Sequence, residues 1–407
     1  MAISQQLSVA LTVIKQGLLL VRDAIGDITG RSLTYDSLRF IQPSHLNQRL
    51  RQHQANISQS QLLNIASLSS NCNNSIVQIE QTNATLPKPL PDTLFIKLPS
   101  PSLITRWFFA VIGSWQLETY FFQHVAQHTP IRTPRTFAAI NQGSRFALIQ
   151  ENLHADNKVQ LFSNLDMLQG PSLALSKRCL DTFARLHSAH CELSKAQQLA
   201  ILPLDLHPFL SPTTAVIAKV LNQQALAPCL KKHPTLIPDH VIRSHHKTLQ
   251  HWETLIDYWF SGPLSLLHGD SHLGNFFVSG DDMGMLDWQA VHWGNGIRDV
   301  QYFLINSLPI DVLASHEQEL IAYYVERRAH YGSAIDLKQS RQQYRSFSFH
   351  TLMTIIVSIG FGAMNAEQNA LMEEILKRAV AAIERLDYSD WLSTFLTKPH
   401  AAILIDC

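Results

Sequence analysis

Leu267-His268-Gly269-Asp270-Ser271-His272-Leu273-Gly274-Asn275, with Leu286-Asp287-Trp288 following shortly after, is the stretch from which the rest of the chain can be read. Between its two parts stand two short apolar runs, Phe276-Phe277-Val278 and Met283-Gly284-Met285-Leu286, around Gly280-Asp281-Asp282. Such runs about a Gly-Asp turn predict a β-hairpin. The hairpin would return Asp287 to the neighbourhood of Asn275. A carboxylate able to act as a base, an amide and a second carboxylate would then converge. These are hard oxygen donors of the kind that Mg²⁺ takes, and the set suits metal-assisted phosphoryl transfer.

Asp270 and Asn275 stand five residues apart, the spacing of Asp and Asn in the kinase catalytic-loop pattern H-R-D-L-x-x-x-N. A lone His-Gly-Asp would read as an ordinary turn and a lone Asp-Trp as a strand end; the two together, with a hairpin between, are poorly explained by chance. His268 to Asn275 with Leu286-Asp287-Trp288-Gln289 resembles the aminoglycoside phosphotransferase and choline-kinase-like family of small-molecule kinases. Within it, the nearest likeness is to the ecdysteroid-kinase-like phosphotransferases. The resemblance implies an α+β, bilobal protein-kinase-like fold with a small antiparallel β-sheet N-lobe and a larger, mainly helical C-lobe. On that plan residues 1–52 form a helical extension, 53–153 the N-lobe and 154–400 the C-lobe with the catalytic loop and acceptor site.

Composition agrees with an ordered enzyme-sized chain. Its 407 residues suffice for two cores, and charged residues are only 16% against 46% apolar. The formal net charge is zero, so no basic patch or tail points to nucleic acid or an anionic membrane. Five scattered cysteines, Cys72, Cys179, Cys191, Cys229 and Cys407, form no CxxC pair, which speaks against a disulfide framework or a thiolate zinc site. The N-terminus does not have the make-up of a signal peptide, and no apolar run approaches the ~18 residues that span a bilayer. A reducing cytoplasm is the expected compartment.

Leu7, Leu11, Ile14, Leu18, Val21 and Ile25 alternate by three and four, predicting an amphipathic helix. Its polar side is not rich in Lys or Arg, so the apolar stripe is expected to pack on the protein's own body rather than on a membrane. A further helical piece is expected around residues 44–52. Ile76 to Glu80 and Thr93 to Leu98 read as strands. The cluster Ser69-Ser70-Asn71-Cys72-Asn73-Asn74 before the first of them predicts a turn. By position this turn is where a kinase loop covers the nucleotide phosphates, with Ser70 and Asn71 at its tip, yet it contains no glycine.

The resemblance matches Lys97 to the strand lysine that holds the α- and β-phosphates, and Glu118, in Trp115-Gln116-Leu117-Glu118, to its helical partner. Arg145 to Leu153 reads as a strand running into a hinge, and the family places the adenine at its polar end, Glu151 to Leu153. Helical periodicity then dominates: residues 173–191, ending in His187-Ser188-Ala189-His190, and later 314–331, 339–360 and 366–386. The HxxH spacing admits a metal, but without a third ligand a structural histidine is the better reading. In residues 191–262, Ser211-Pro212 predicts a helix start, Pro228, Pro234 and Pro238 are expected to break the chain, and a helix is expected from His245 to Phe260. Asp299, after Gly294-Asn295-Gly296, matches a family acid and is expected to brace the catalytic loop.

The resemblance thus implies transfer of the γ-phosphate of ATP, or GTP in its place, to the hydroxyl of a small molecule. Asp270 would serve as base, Asn275 and Asp287 as Mg²⁺ ligands, and Lys97 with Glu118 as the nucleotide clamp. No Ala-Pro-Glu follows Asp287, which speaks against a protein substrate. Near-neutral charge tilts the acceptor from aminoglycosides toward a neutral or weakly charged alcohol. The glycine-free loop keeps open the alternative of a catalytically inactive kinase-like nucleotide- or ligand-binding protein.

Overall fold

The computed structural model describes residues 2–28, 33–64, 72–82, 90–203, 215–362 and 364–397, which divide into two compact units. The first, residues 2–128 and 133–159, is built on a five-stranded antiparallel sheet. Its strands are β1 (Ile57–Asn64), β2 (Cys72–Gln81), β3 (Thr93–Pro99), β4 (Thr136–Gln142) and β5 (Arg145–Glu151), in the order β1-β2-β3-β5-β4. Because successive side chains in a strand alternate in direction, Leu94, Ile96 and Leu98 share one face. There they join Val77, Ile79, Phe137 and Ile149 in a core closed by Phe40, Leu46 and Leu50. Lys97 belongs to the other face, where Phe146 and Leu148 pack with Trp115.

Two expectations for this unit are corrected. Cys72, Asn73 and Asn74 are not a turn but the first residues of β2, opposite Pro99, Leu98 and Lys97. Ladder pairing overrides the turn preference of asparagine here, and the Asn73 side chain is used instead to donate to the Tyr35 carbonyl at 3.1 Å. Ser70 and Asn71 lie outside the described residues.

The N-terminal helix is present as Ala2–Ile28, but its stripe faces away from the body: Leu11, Ile14, Leu18, Val21 and Ile25 are each 59 to 67% exposed. Polar groups hold the inner side. Gln16 and Asp23 are buried, and Asp23 Oδ2 accepts from the Ser144 backbone N–H at 2.7 Å and from its hydroxyl at 2.6 Å. Asp27 pairs with Arg145, whose guanidinium is almost fully buried and holds the Asp27 carboxyl below the usual carboxylate range. A buried guanidinium needs a carboxylate more than a partly buried leucine needs cover, and this decides which side turns inward.

The second unit, residues 129–132, 160–203, 215–362 and 364–397, is mainly helical. Its axis is the helix Ile297–Ser307, all of whose residues are buried among Ile310–His330, Leu337–Phe361 and Ala366–Arg385. These three outer helices and Leu173–Ala189 lie where periodicity predicts them. Two readings are corrected. Pro228 breaks nothing: it sits inside the helix Ala215–Lys232, whose Ala218, Ala225, Leu226 and Cys229 are buried and which packs on Leu337–Phe361. Tertiary packing outweighs the lost hydrogen bond. The segment from His245 to Phe260 belongs to two helices, Asp239–Gln250 and Trp252–Trp259, broken at His251. The expected start at Ser211-Pro212 lies outside the described residues. No described helix is long and apolar enough to cross a membrane.

His187, His245 and His350 are buried in this unit, and burial lowers all three, His245 to about 4. A histidine lowered in the folded state is neutral there, while the unfolded chain takes up its proton near pH 6.5. Their contribution is therefore complete above about pH 6.5 and is lost as pH falls below it. The thermal midpoint is expected to be level between pH 8 and 7 and to fall steeply between pH 6.5 and 5. A midpoint unchanged across that lower range would contradict this account.

Candidate catalytic loop and buried ion pair

The strand Ser265–Leu267, paired with His292–Gly294, delivers the chain to His268. From there the loop is fastened to Asp299, which sits in the first turn of the buried helix Ile297–Ser307. Asp299 Oδ2 accepts the His268 backbone N–H at 2.7 Å and Oδ1 accepts that of Gly269 at 3.0 Å. The Asp299 carbonyl accepts the Ser271 hydroxyl at 2.9 Å. Burial by itself would raise the Asp299 carboxyl. The hydrogen bond from His187, the neighbouring Arg298 charge and the two backbone donors outweigh it and hold the group well below the ordinary carboxylate range. His187, lowered by burial, is neutral: Nε2 donates to Asp299 at 3.3 Å and Nδ1 accepts the Tyr324 hydroxyl at 2.8 Å. His190 instead sets its ring edge to Trp293, so the HxxH pair does not converge.

His268 is also buried and neutral. Its Nε2 donates to the Leu286 carbonyl at 2.7 Å and its Nδ1 accepts the Asp270 backbone N–H at 3.3 Å, which sets the tautomer. Gly269 has φ +86°, and a Cβ there would lie 2.1 Å from the Ala290 carbonyl oxygen. Only glycine fits this turn.

Beyond the loop, Phe276–Ser279 and Asp282–Met285 pair as an antiparallel hairpin about Gly280, as their sequence predicts. The Leu286 N–H then donates to the Asn275 carbonyl at 2.7 Å, so that Asp287 follows one residue beyond a bond to Asn275. Asp287 itself stands at φ +54°, a left-handed conformation that costs a non-glycine residue about 1–2 kcal/mol. The Asn275 side-chain N–H donates to the Asp270 carbonyl at 2.7 Å, which leaves its Oδ1 as the atom suited to a cation. Asp270, Asn275 and Asp287 are thereby tied into one segment, with the Asp270 side chain about one quarter exposed and His272 Nε2 3.8 Å from it. Among the described residues no three His, Cys, Asp or Glu side chains gather as a metal group. One amide and one carboxylate fit Mg²⁺, which keeps waters and takes phosphate oxygens rather than needing an all-protein cage.

In the first unit Lys97 Nζ donates to Glu118 Oε1 at 2.9 Å, both side chains being nearly inaccessible. Glu118 lies on the helix Ser114–Tyr120, which continues into a π-helical turn at Phe121–Val125. At the end of β5, Glu151 and Arg135 bond reciprocally: the Glu151 N–H donates to the Arg135 carbonyl at 2.9 Å and Glu151 Oε1 accepts the Arg135 N–H at 2.6 Å. Leu153 is buried in the short turn Leu153–Ala155.

Two residues near the loop escaped sequence reasoning. Tyr302 is buried, which pushes its hydroxyl well above the ordinary value, and the charge of Asp270 adds to the rise. It stands three residues after Asp299, on the same helix face, and that spacing was the available signal. Arg298, pushed down to about 10 by burial, donates to His292 Nε2 at 2.7 Å and to His350 Nε2 at 2.9 Å. His350, fifty-two residues on, lies too far along the sequence to be read from it.

A sequence model of the ecdysteroid kinase-like family matches residues 119–331, just over half of the chain. No curated protein matches. Among solved structures the chain is similar to an ethanolamine kinase of Plasmodium vivax, at 13% identity and a TM-score of 0.50, over 79% of this chain and 81% of that one. It is also similar to a choline/ethanolamine kinase family protein from Mesorhizobium loti, at 15% identity and a TM-score of 0.46, over 85% and 92%. A third likeness is to aminoglycoside 2'-phosphotransferase-IIIa in its GDP complex, at 11% identity and a TM-score of 0.47, over 82% and 98%. At such identities the Plasmodium likeness shows the fold, an α+β protein-kinase-like one.

The anchoring of the loop makes a measurable demand on Asp299. Replacing it with alanine leaves the N–H groups of His268, Gly269 and His187 without their acceptor, and removal of one partner from a buried charged network typically costs about 3–5 kcal/mol. Urea unfolding of Asp299→Ala is expected to show a loss of that order, and a loss below about 1 kcal/mol would refute the anchoring role.

Proposed function

The chain belongs to the ecdysteroid kinase-like family, and from that membership we propose that it transfers the γ-phosphoryl group of ATP to a hydroxyl of a small molecule. GTP is the other nucleotide to be tried. The observation that carries the reading is the bonded segment of Asp270, Asn275 and Asp287, with Asn275 turned so that its amide oxygen is left for a cation. Asp270, partly open to solvent, would orient the acceptor hydroxyl and take its proton. Asn275 and Asp287 would hold Mg²⁺, which when bound neutralises phosphate charge during transfer. Lys97, kept in position by Glu118, would clamp the nucleotide phosphates. Positioning and charge, rather than a covalent intermediate, would supply the rate.

A neutral or weakly charged alcohol is the acceptor class that the balanced net charge favours. A reducing cytoplasm is the place of action that the scattered cysteines, with no CxxC pair, favour.

Calorimetry of ATP binding with and without Mg²⁺ tests the nucleotide and metal parts together. Wild type is expected to bind with a Mg²⁺-dependent component that Asp287→Ala loses. Wild type that binds neither ATP nor GTP would reject the reading. The base is tested apart from these: Asp270→Ala should retain nucleotide binding and lose transfer by about 100-fold or more. Undiminished turnover would remove Asp270 from the role, and tight binding with no transfer to any alcohol would favour an inactive, ligand-binding protein.

A further inference from the structure

The N-terminal helix Ala2–Ile28 is amphipathic with its faces reversed, its carboxylates inward and its aliphatic stripe outward. The outward positions are Leu11, Ile14, Leu18, Val21 and Ile25, separated by three, four, three and four residues. We propose that this stripe is the seam of a parallel two-helix coiled coil formed with the same helix of a second copy of this chain.

The spacing is the first argument. Two apolar positions in every seven make the narrow seam of a coiled coil, whereas a helix packed on a globular body or lying in a membrane surface carries a wider apolar band. The chemistry is the second. The seam is wholly aliphatic, and its exposed flank carries only Lys15 and Arg22 as cations. Helices that lie in lipid headgroups are richer in Lys and Arg and place Trp or Phe at the apolar edge.

Charge arrangement selects the parallel orientation. One flank of the seam bears Lys15 and Arg22, and the other bears Ala10, Gly17 and Ala24. Parallel pairing sets the cationic flank of each helix beside the small-residue flank of its partner, so that like charges stay apart. The alkyl stems of Lys15 and Arg22 would then cover Ala10, Gly17 and Ala24, and the space next to Gly17 is open. Antiparallel pairing would set the cationic flank against itself.

The extent of the surface fits as well. The five residues expose on the order of 600 Å², at the upper end of what a monomer normally leaves to water. That approaches the ~800 Å² that each partner of a stable interface buries. The bonds of Asp23 and Asp27 to Ser144 and Arg145 hold the helix to its own unit, so little ordering is left for association.

Sedimentation equilibrium of the full chain in the micromolar range is the test. Wild type is expected to reach twice its 45.9 kDa mass. The double variant Leu18→Glu/Val21→Glu should dissociate at least about 100-fold more readily, with an unchanged circular dichroism spectrum because both positions are on the surface. Leu18→Cys should cross-link between copies under mild oxidation beyond the wild-type background, since a parallel seam sets position 18 against itself. Wild type that stays monomeric at tens of micromolar overturns the proposal, as does a dimer indifferent to the double variant. A dimer that fails to cross-link through Leu18→Cys overturns the parallel arrangement. Sedimentation of a monomeric wild type with phosphatidylcholine vesicles, lost in the double variant, would assign the stripe to lipid instead.

Discussion

A single buried carboxylate organises the second unit around its candidate catalytic segment. Asp299 is out of water, and its neighbours supply the compensation that an interior anion requires: two backbone N–H groups, a histidine N–H and the nearby Arg298. Those donors come from two separate pieces of the chain, the loop at His268 and Gly269 and the helix that carries His187. His268 and Gly269 are thereby set at the mouth of the loop, the helix Leu173–Ala189 is attached through His187, and Tyr324 is drawn in behind it. The geometry of Asp270 follows from these bonds, because its own backbone N–H rests on the His268 ring that Leu286 also holds. A buried polar network of this kind resists rearrangement, because moving one member leaves its partners unpaired away from water.

The parts of this network that could be read from sequence were the local ones. His268, Gly269, Asp270 and Asn275 are close in the chain, and the hairpin that returns Asp287 obeys turn and alternation rules across ten residues. The Lys97–Glu118 pair was reachable only through likeness to a family, since nothing in the intervening residues measures the distance between a strand and a helix. Arg298, with partners at His292 and His350, was out of reach because its contacts depend on how two helices and a strand pack. Proline told the same story from the other side: a residue that breaks an isolated helix was absorbed at Pro228 by the burial of Ala225, Leu226 and Cys229 around it.

The N-terminal helix shows where periodicity alone misleads. Its apolar repeat was correctly a helix, yet the repeat does not say which side meets the protein. That was decided by Arg145, more than a hundred residues away, which is buried in the sheet and draws Asp27 inward. Asp23 follows it by capping Ser144. A buried charge outranks several partly exposed methyl groups, because leaving the charge unpaired is the costlier failure.

Asp287 carries information of a different sort. Its left-handed backbone is a conformation that glycine adopts without strain and that costs another residue about 1–2 kcal/mol. Such an angle persists only where the surroundings over-determine it, and here the hairpin on one side and the Leu286–Asn275 bond supply that constraint. The hairpin therefore acts as a spring held shut: loosening its pairing would release the angle at Asp287 before it disturbed the loop at Asp270.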